Sequence, residues 1–287
     1  MAQTREVIET MRRETTLDFT VKVIRTHGDI YREGPLENAE TTGLFTREIE
    51  ENLLAGQIDL AVHSLKDLPL SLPPKLAIAA VPVREEPWDA LVIARGNYQS
   101  SASGLPLSEG SVVGTGSLRR KMQLTTVRPD LKIRPLRGNI DTRLEKIIHG
   151  EYDAGVFACA GLNRLNFRDD RLVIHRLQWA PFIPAPGQGA LAIEMRRDDP
   201  DFDQIKRTVN DLSAERCVAA ERKLLEMFGG GCALPVGALV SREDGPEREV
   251  YTLRGFWGGD HPLRWETLVA DDLRAGILAL FERLKNR

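Results

Sequence analysis

Residues able to do chemistry gather in a few short stretches of this chain. One is a thiol, Cys232, in Gly229-Gly230-Gly231-Cys232-Ala233-Leu234-Pro235-Val236-Gly237-Ala238. Glycines carry no Cβ, so the backbone before this cysteine can take positive φ and let a bulky group approach the sulfur. A structural cysteine normally lies inside a periodic apolar element instead. A tight glycine-rich turn with no chemical role explains the same run, and on spacing alone both readings stand. Cys159, in Ala154-Gly155-Val156-Phe157-Ala158-Cys159-Ala160, and Cys217, in Ala214-Glu215-Arg216-Cys217-Val218-Ala219-Ala220, read as core packing.

A second stretch is Asp59-Leu60-Ala61-Val62-His63-Ser64-Leu65-Lys66-Asp67-Leu68-Pro69, where a buried strand runs into a polar loop that a proline ends. Asp67 suits an acid, a base or an electrostatic stabiliser, with Lys66 as positive partner to a substrate or to the carboxylate itself. An Asp-Leu-Pro turn with a capping side chain is the plainer alternative. His63 has no His or Cys at ligand spacing and reads as a packed residue rather than a metal ligand. The third stretch, Gly114-Thr115-Gly116-Ser117-Leu118-Arg119-Arg120-Lys121, lies where a strand ends and a helix begins, a place where unpaired N–H groups favour anions. Arg134, Arg137 and Arg143 follow at the next strand-to-helix junction. Any one of these arginines could be solvated surface. Their recurrence at successive strand ends, where α/β sheets bind ligands, points to a ligand with several carboxylates, which guanidinium forks grip bidentately.

The elements that must position these groups alternate. Helix 3–14, strand Asp18–Thr26, helix Gly43–Ala55 and strand Ile58–His63 make a first α/β round. Strand 111–113, helix 117–127, strand 131–134, helix 139–149 and strand 154–158 make a second, after the Ser- and Gly-rich stretch 96–110, which reads as a linker. Prolines between Pro181 and Pro186 precede the apolar run Ala190–Ile193, a return crossing between lobes. A helix from about Glu215 to Met227 leads to strands Val236–Ser241, Glu249–Trp257 and Leu263–Ala270 and a closing helix Asp271–Lys285. The fold class expected is therefore α/β, two doubly wound lobes followed by a small α+β unit of three antiparallel strands and a helix. The domains are drawn as 1–95 with 187–210, then 96–186, then 211–287.

A length of 287 residues, 42% of them hydrophobic, is ample for more than one core. Three cysteines without paired spacing argue against a disulfide framework or zinc site and suit a reducing compartment. The first residues carry charges where a signal peptide needs an apolar stretch, and no run of 18 apolar residues occurs, so a cytoplasmic protein is expected. The net charge of −3 offers no general attraction for nucleic acid or an anionic membrane, so an anionic ligand must be held by local basic groups.

Taken together, the motifs resemble the porphobilinogen deaminase (hydroxymethylbilane synthase) family. The match rests on His63-Ser64-Leu65-Lys66-Asp67-Leu68-Pro69, Gly114 to Arg120, Leu136-Arg137-Gly138-Asn139 with Thr142-Arg143, Ala160-Gly161-Leu162-Asn163-Arg164-Leu165, Pro186-Gly187-Gln188-Gly189-Ala190, and Gly230-Gly231-Cys232 with Pro235 and Gly237. The resemblance implies lobes like periplasmic binding proteins and a dipyrromethane cofactor joined to Cys232 through a thioether. It implies stepwise condensation of four porphobilinogen molecules into a linear tetrapyrrole with loss of ammonia, in tetrapyrrole biosynthesis; a monomer without nucleic-acid or membrane partners is expected. By the same resemblance Asp67 and Lys66 are catalytic. Ser64, Lys66, Thr115, Ser117, Arg119, Arg120 and Gly189 hold the cofactor, and Arg137, Arg143, Arg164 and Gln188 bind substrate carboxylates.

The sequence departs from the family pattern in places. The family's first strand, with its Arg-x-Ser turn, has no counterpart ahead of Met1-Ala2-Gln3, and a start codon placed too far downstream is the expected cause. The glycine-rich lid with a lysine appears as Glu40-Thr41-Thr42-Gly43-Leu44-Phe45, and Thr-Arg-Gly-Asp appears as Thr26-His27-Gly28-Asp29. A catalytically inactive homologue and a two-lobed small-anion-binding protein are the rival readings.

Overall fold

A computed structural model describes residues 2–24, 46–100, 104–178, 180–231, 234–244, 249–259 and 262–286. Cys232, the lid stretch 40–45 and Thr26 to Asp29 lie outside them.

The first lobe is a three-stranded sheet of β1 (Leu60–Ser64), β2 (Leu76–Ala80) and β8 (Leu191–Arg196), with β8 in the middle. Helix α1 (Ala2–Glu14) buries Val7, Ile8 and Met11 at a helical spacing against Ile193 and Met195, together with α6 (Phe202–Val209). Helix α2 (Arg47–Leu54) covers the opposite face through Leu53, which packs on Ala61 and Leu76. The expected strand Asp18–Thr26 is not formed over its described part. Residues 18–24 carry no ladder, and Val21 and Val23 are exposed, because no described strand edge lies beside them to pair with.

The second lobe is a five-stranded sheet in the order β5 (Lys132–Arg134), β4 (Val112–Gly114), β6 (Ala154–Ala158), β3 (Asp89–Ala94) and β7 (Leu172–Leu177). Helix α3 (Leu118–Val127) packs Leu124 on one face. Helices α4 (Ile140–Ile148) and α5 (Cys159–Arg164) pack Leu144, Ile147 and Leu162 on the other. Strand β3 thus belongs to this sheet, although the sequence boundary at 95/96 assigned it to the first lobe, and the described residues 96–100 and 104–110 belong to the second lobe, where Leu105 and Leu107 join its core, rather than forming the linker. A continuous apolar run such as Ala90–Ile93 has no alternation, because both faces are covered, so nothing local tells which sheet it joins.

The parallel pattern read from sequence holds for β5, β4 and β6, but β3 and β8 are antiparallel to their neighbours. The reason is topological. Strands β1 and β6 end at the cleft between the lobes, whereas β3 and β8 begin there, each emerging from a crossing segment, as the pairs Ser64↔Leu191 and Asp89↔Ala158 record.

The third unit is an antiparallel sheet of β9 (Val236–Asp244), β10 (Glu249–Trp257) and β11 (Arg264–Ala270), with β10 central. Helices α7 (Leu212–Met227) and α8 (Leu273–Lys285) cover one face through Leu224, Ile277 and Leu280. Leu239 and Phe256 on the other face meet Ile183 of the return crossing.

Candidate active site

At the cleft end of β1 the chain turns through a short 3-10 segment, Leu65–Asp67. Leu65 and Leu68 are buried and anchor the turn, leaving Lys66 half-buried and Asp67 exposed at the cleft wall. The turn's carbonyls are held from the third unit: Arg222 of α7 donates to Leu65 O at 3.1 Å, Leu68 O at 2.9 Å and Pro69 O at 2.6 Å. Buried carbonyls need partners, and here one side chain supplies them to the loop that carries Asp67.

Across the cleft, α3 starts at Ser117, whose hydroxyl accepts from Arg120 N. Arg120 donates to Asp89 Oδ1 from Nη2 at 2.6 Å and from Nε at 3.1 Å, and to Val156 O at 3.1 Å. Arg119, 3% exposed, donates from the other side to Asp89 Oδ2 at 2.9 Å and to Ile183 O at 2.6 Å. Burial pushes the Asp89 carboxyl up, but the Arg119 and Arg120 guanidiniums outweigh it and hold the group well below the usual carboxylate range. Gln188 is the joint between lobes. Its Nε2 donates to Asp89 Oδ1 at 2.9 Å and Pro87 O at 2.8 Å, and its Oε1 accepts from Lys66 Nζ and Arg120 Nη2, both at 3.4 Å.

The cleft measures about 180 Å3 and is lined by Ser64, Lys66, Asp67, Arg120, Arg143, Arg164, Gln188 and Gly189 among others. Among the described residues, four cationic side chains line it against one carboxylate, Asp67. Burial lowers the Lys66 pKa, with Asp67 opposing the shift. The Arg143 guanidinium, 4.9 Å over the Phe157 ring, is pushed down to about 10 by burial and then by the charge of Arg120, with Asp67 again opposing. Arg164 donates from Nε to Glu6 Oε2 at 2.8 Å and from Nη2 to Gly189 O at 2.9 Å.

The structure therefore brings together most of the residues singled out from sequence and sets others apart. Thr115 is buried behind the cleft, where its hydroxyl accepts from Ser117 N, and Ser117 serves as the helix cap. Arg119 is occupied with Asp89, and Arg137 lies exposed beside Gly138, whose φ of +111° turns the chain into α4. Neither lines the cleft. Gly229, Gly230 and Gly231 all take positive φ, as the glycine argument anticipated. A Cβ on Gly230 would lie 3.1 Å from Leu70, so the stretch entering Cys232 abuts the chain just beyond Asp67. Cys159 and Cys217 are buried, and burial pushes the Cys159 thiol up to about 12. His63 is buried with its Nε2 3.0 Å from Glu194 Oε2. No group of three or more potential metal ligands occurs among the described residues.

Several residues of the site escaped the sequence reading. Gln3 lines the cleft and donates to Ser64 Oγ at 2.7 Å. Glu221, fully buried on α7, accepts from both terminal nitrogens of Arg84, at 2.7 and 2.9 Å, from Gly187 N at 2.7 Å and from Val240 N at 2.9 Å, tying the third unit to the return crossing. A signal for Glu221 existed: Cys217, Val218, Glu221 and Leu224 form one buried helical stripe, and a carboxylate on such a stripe demands partners. Asp89, at the head of an apolar strand, is the same kind of signal.

Two α/β lobes enclosing a cationic cleft, braced by a third unit whose Gly230 abuts Leu70 just beyond Asp67, define a two-lobed binder of polyanionic ligands with a carboxylate at the cleft wall. Sequence comparison narrows the class. A family model described as "Porphobilinogen deaminase, dipyromethane cofactor binding domain" matches residues 1–204. Porphobilinogen deaminases of Bacillus cereus (strain ZK / E33L) and Bacillus thuringiensis subsp. konkukian are each 43% identical over 267 residues, 93% of this chain and 84% of theirs. The chain belongs to the porphobilinogen deaminase family. Among solved structures, the periplasmic VFT2 domain of Bordetella pertussis BvgS is 17% identical at a TM-score of 0.42, covering 74% of this chain and 78% of that one. An arginine-specific periplasmic binding protein of Salmonella typhimurium is 12% identical at a TM-score of 0.40, covering 78% and 87%.

Proposed function

We propose that this chain condenses porphobilinogen stepwise into the linear tetrapyrrole hydroxymethylbilane, releasing ammonia at each step, on a dipyrromethane primer joined to Cys232. The observation that carries the reading is Asp67 in one cleft with Lys66, Arg120, Arg143 and Arg164, the one carboxylate among the described residues that line it. That donor set fits the cofactor, whose pyrrole rings bear acidic arms. When bound, the primer supplies the nucleophilic pyrrole carbon. Every other task falls to the protein's own residues. Arg120, Arg143 and Lys66 neutralise the carboxylates of the growing chain, which gains an acetate and a propionate per ring, and the Ser64 hydroxyl donates a hydrogen bond to them. Arg164 extends this grip within the cleft, and Arg137, exposed outside it, meets an acidic arm that reaches beyond the cleft. Asp67 stabilises positive charge developing on a pyrrole nitrogen and takes and returns its proton. Arg119 and Thr115 act from behind, Arg119 by fixing Asp89 and thus Arg120, while Gln188 and Gly189 set the separation of the lobes.

The two lobes and the third unit act as three domains, with β3 counted in the second, and the crossings form the hinge that lets the cleft accept a longer chain. No described helix is long and apolar enough to cross a membrane, and the unpaired spacing of the three cysteines supports work in a reducing cytoplasm.

Intact mass and Ehrlich's reagent staining of the purified protein test the proposal. The wild type and Asp67→Asn are expected to carry a dipyrromethane adduct and Cys232→Ser none, while Asp67→Asn loses about 10²–10⁴-fold in turnover of porphobilinogen. An unmodified thiol in folded wild-type protein would overturn the proposal.

A further inference from the structure

Arg164 reaches the cleft from the second lobe, yet the group on its Nε comes from the first. Glu6 of α1 places Oε2 2.8 Å away, the Arg164 side chain being 7% exposed and that of Glu6 44%. Helix α1 is fixed on the first lobe by the adjacent Val7 and Ile8, both buried. Three residues earlier on the same helix, Gln3 lines the cleft and contacts Ser64, so Gln3 and Glu6 run along one edge of it. The second contact of Arg164 is Gly189 O of the return crossing. One guanidinium thus touches the helix of one lobe, the hinge and the cleft at once.

We propose that Glu6 is a positioning residue, an internal carboxylate that occupies Arg164 while the cleft is empty, latches the lobes together, and is displaced by an acidic arm of the incoming pyrrole. The idea rests on the reading of Arg164 as a carboxylate-binding residue. Two features favour displacement over a permanent lock. The Glu6 contact uses a single guanidinium nitrogen, whereas a mobile ligand carboxylate can take two in parallel. An ion pair with one exposed partner is also weak, so a ligand carboxylate with better geometry wins the exchange.

The test compares the wild-type holoenzyme with Glu6→Gln, which keeps length and removes charge, and with Glu9→Gln, an exposed carboxylate on the same helix, as control. Glu6→Gln is expected to lower KM for porphobilinogen by about two- to fivefold with kcat little changed, and Glu9→Gln to leave both constants in place. Adding Arg164→Gln to Glu6→Gln should abolish the Glu6 effect. Without substrate, hydrogen–deuterium exchange at residues 185–190 should quicken in Glu6→Gln alone. An unchanged KM, or equal shifts in both single variants, overturns the latch. If the wild type fails to turn over porphobilinogen, the proposed function falls, and the exchange arm still decides the latch: equal exchange in wild type and Glu6→Gln refutes it.

Discussion

Asp89 is the carboxylate that fixes Arg120 at the cleft wall and Arg119 behind it, and Asp89→Asn is the most informative perturbation. The side chain is 3% exposed and receives Arg119 at 2.9 Å, Arg120 at 2.6 and 3.1 Å and Gln188 at 2.9 Å. The variant keeps shape but turns one acceptor oxygen into a donor and leaves two buried guanidiniums without their counter-charge. Removing one partner of a buried pair costs about 3–5 kcal/mol, far more than the same change at an exposed pair. Urea unfolding should therefore show that loss, and the KM for porphobilinogen should rise as Arg120 loses its fixed position. The pH dependence has a defined sign. The folded-state pKa of Asp89 lies below its unfolded value of about 3.9, so the folded state is favoured by this group above that pH and the benefit is lost as pH falls toward the folded value. Wild-type stability should thus drop on acidification more steeply than that of Asp89→Asn. A variant within about 1 kcal/mol of wild type at neutral pH, with a parallel acid limb, would refute the reasoning.

Glu221→Gln should cost a comparable 3–5 kcal/mol or so, because the amide presents donors to Arg84 and Gly187 N, and limited proteolysis should then release the third unit sooner than in wild type. Equal proteolysis rates would show that this contact does not hold the units together. Gly189→Ala places a methyl group 2.3 Å from Glu85 O at a φ of +89°, so thermal unfolding should reveal a loss of at least about 1–2 kcal/mol. A melting temperature equal to wild type would mean that the crossing yields freely there.

Much of the site was legible because its residues sit where strands end, and strand ends are visible in a sequence as apolar runs broken by Gly, Ser or Pro. The runs before Ser64, Thr115 and Arg137 were read in this way, and the structure brings Lys66, Asp67, Arg120 and Arg143 from two of those junctions and the helix beyond the third into one cleft. The positive φ of Gly229 to Gly231 was legible for the same reason, since only the lack of a Cβ makes such a run inexpensive. Strands β2, β3 and β7 were not seen. Leu76–Ala80 is alanine-rich, and Ala90–Ile93 is apolar on both faces, so neither shows the alternation that betrays a half-buried strand.

By itself, the order of amino acids determined which chemical groups the chain owns, the local breaks that expose them and the small antiparallel unit at the end, since these follow from short-range sterics and periodicity. Tertiary structure alone decided which arginine faces the cleft. Arg119 and Arg120 are neighbours of identical chemistry, and only the 100° step between successive helical residues, set against the position of Asp89, turns one into the interior and leaves the other at the cleft wall. It also decided the partnerships of Glu6 with Arg164, Glu221 with Arg84 and Arg222 with the turn carrying Asp67, contacts between residues more than a hundred positions apart that no local pattern encodes.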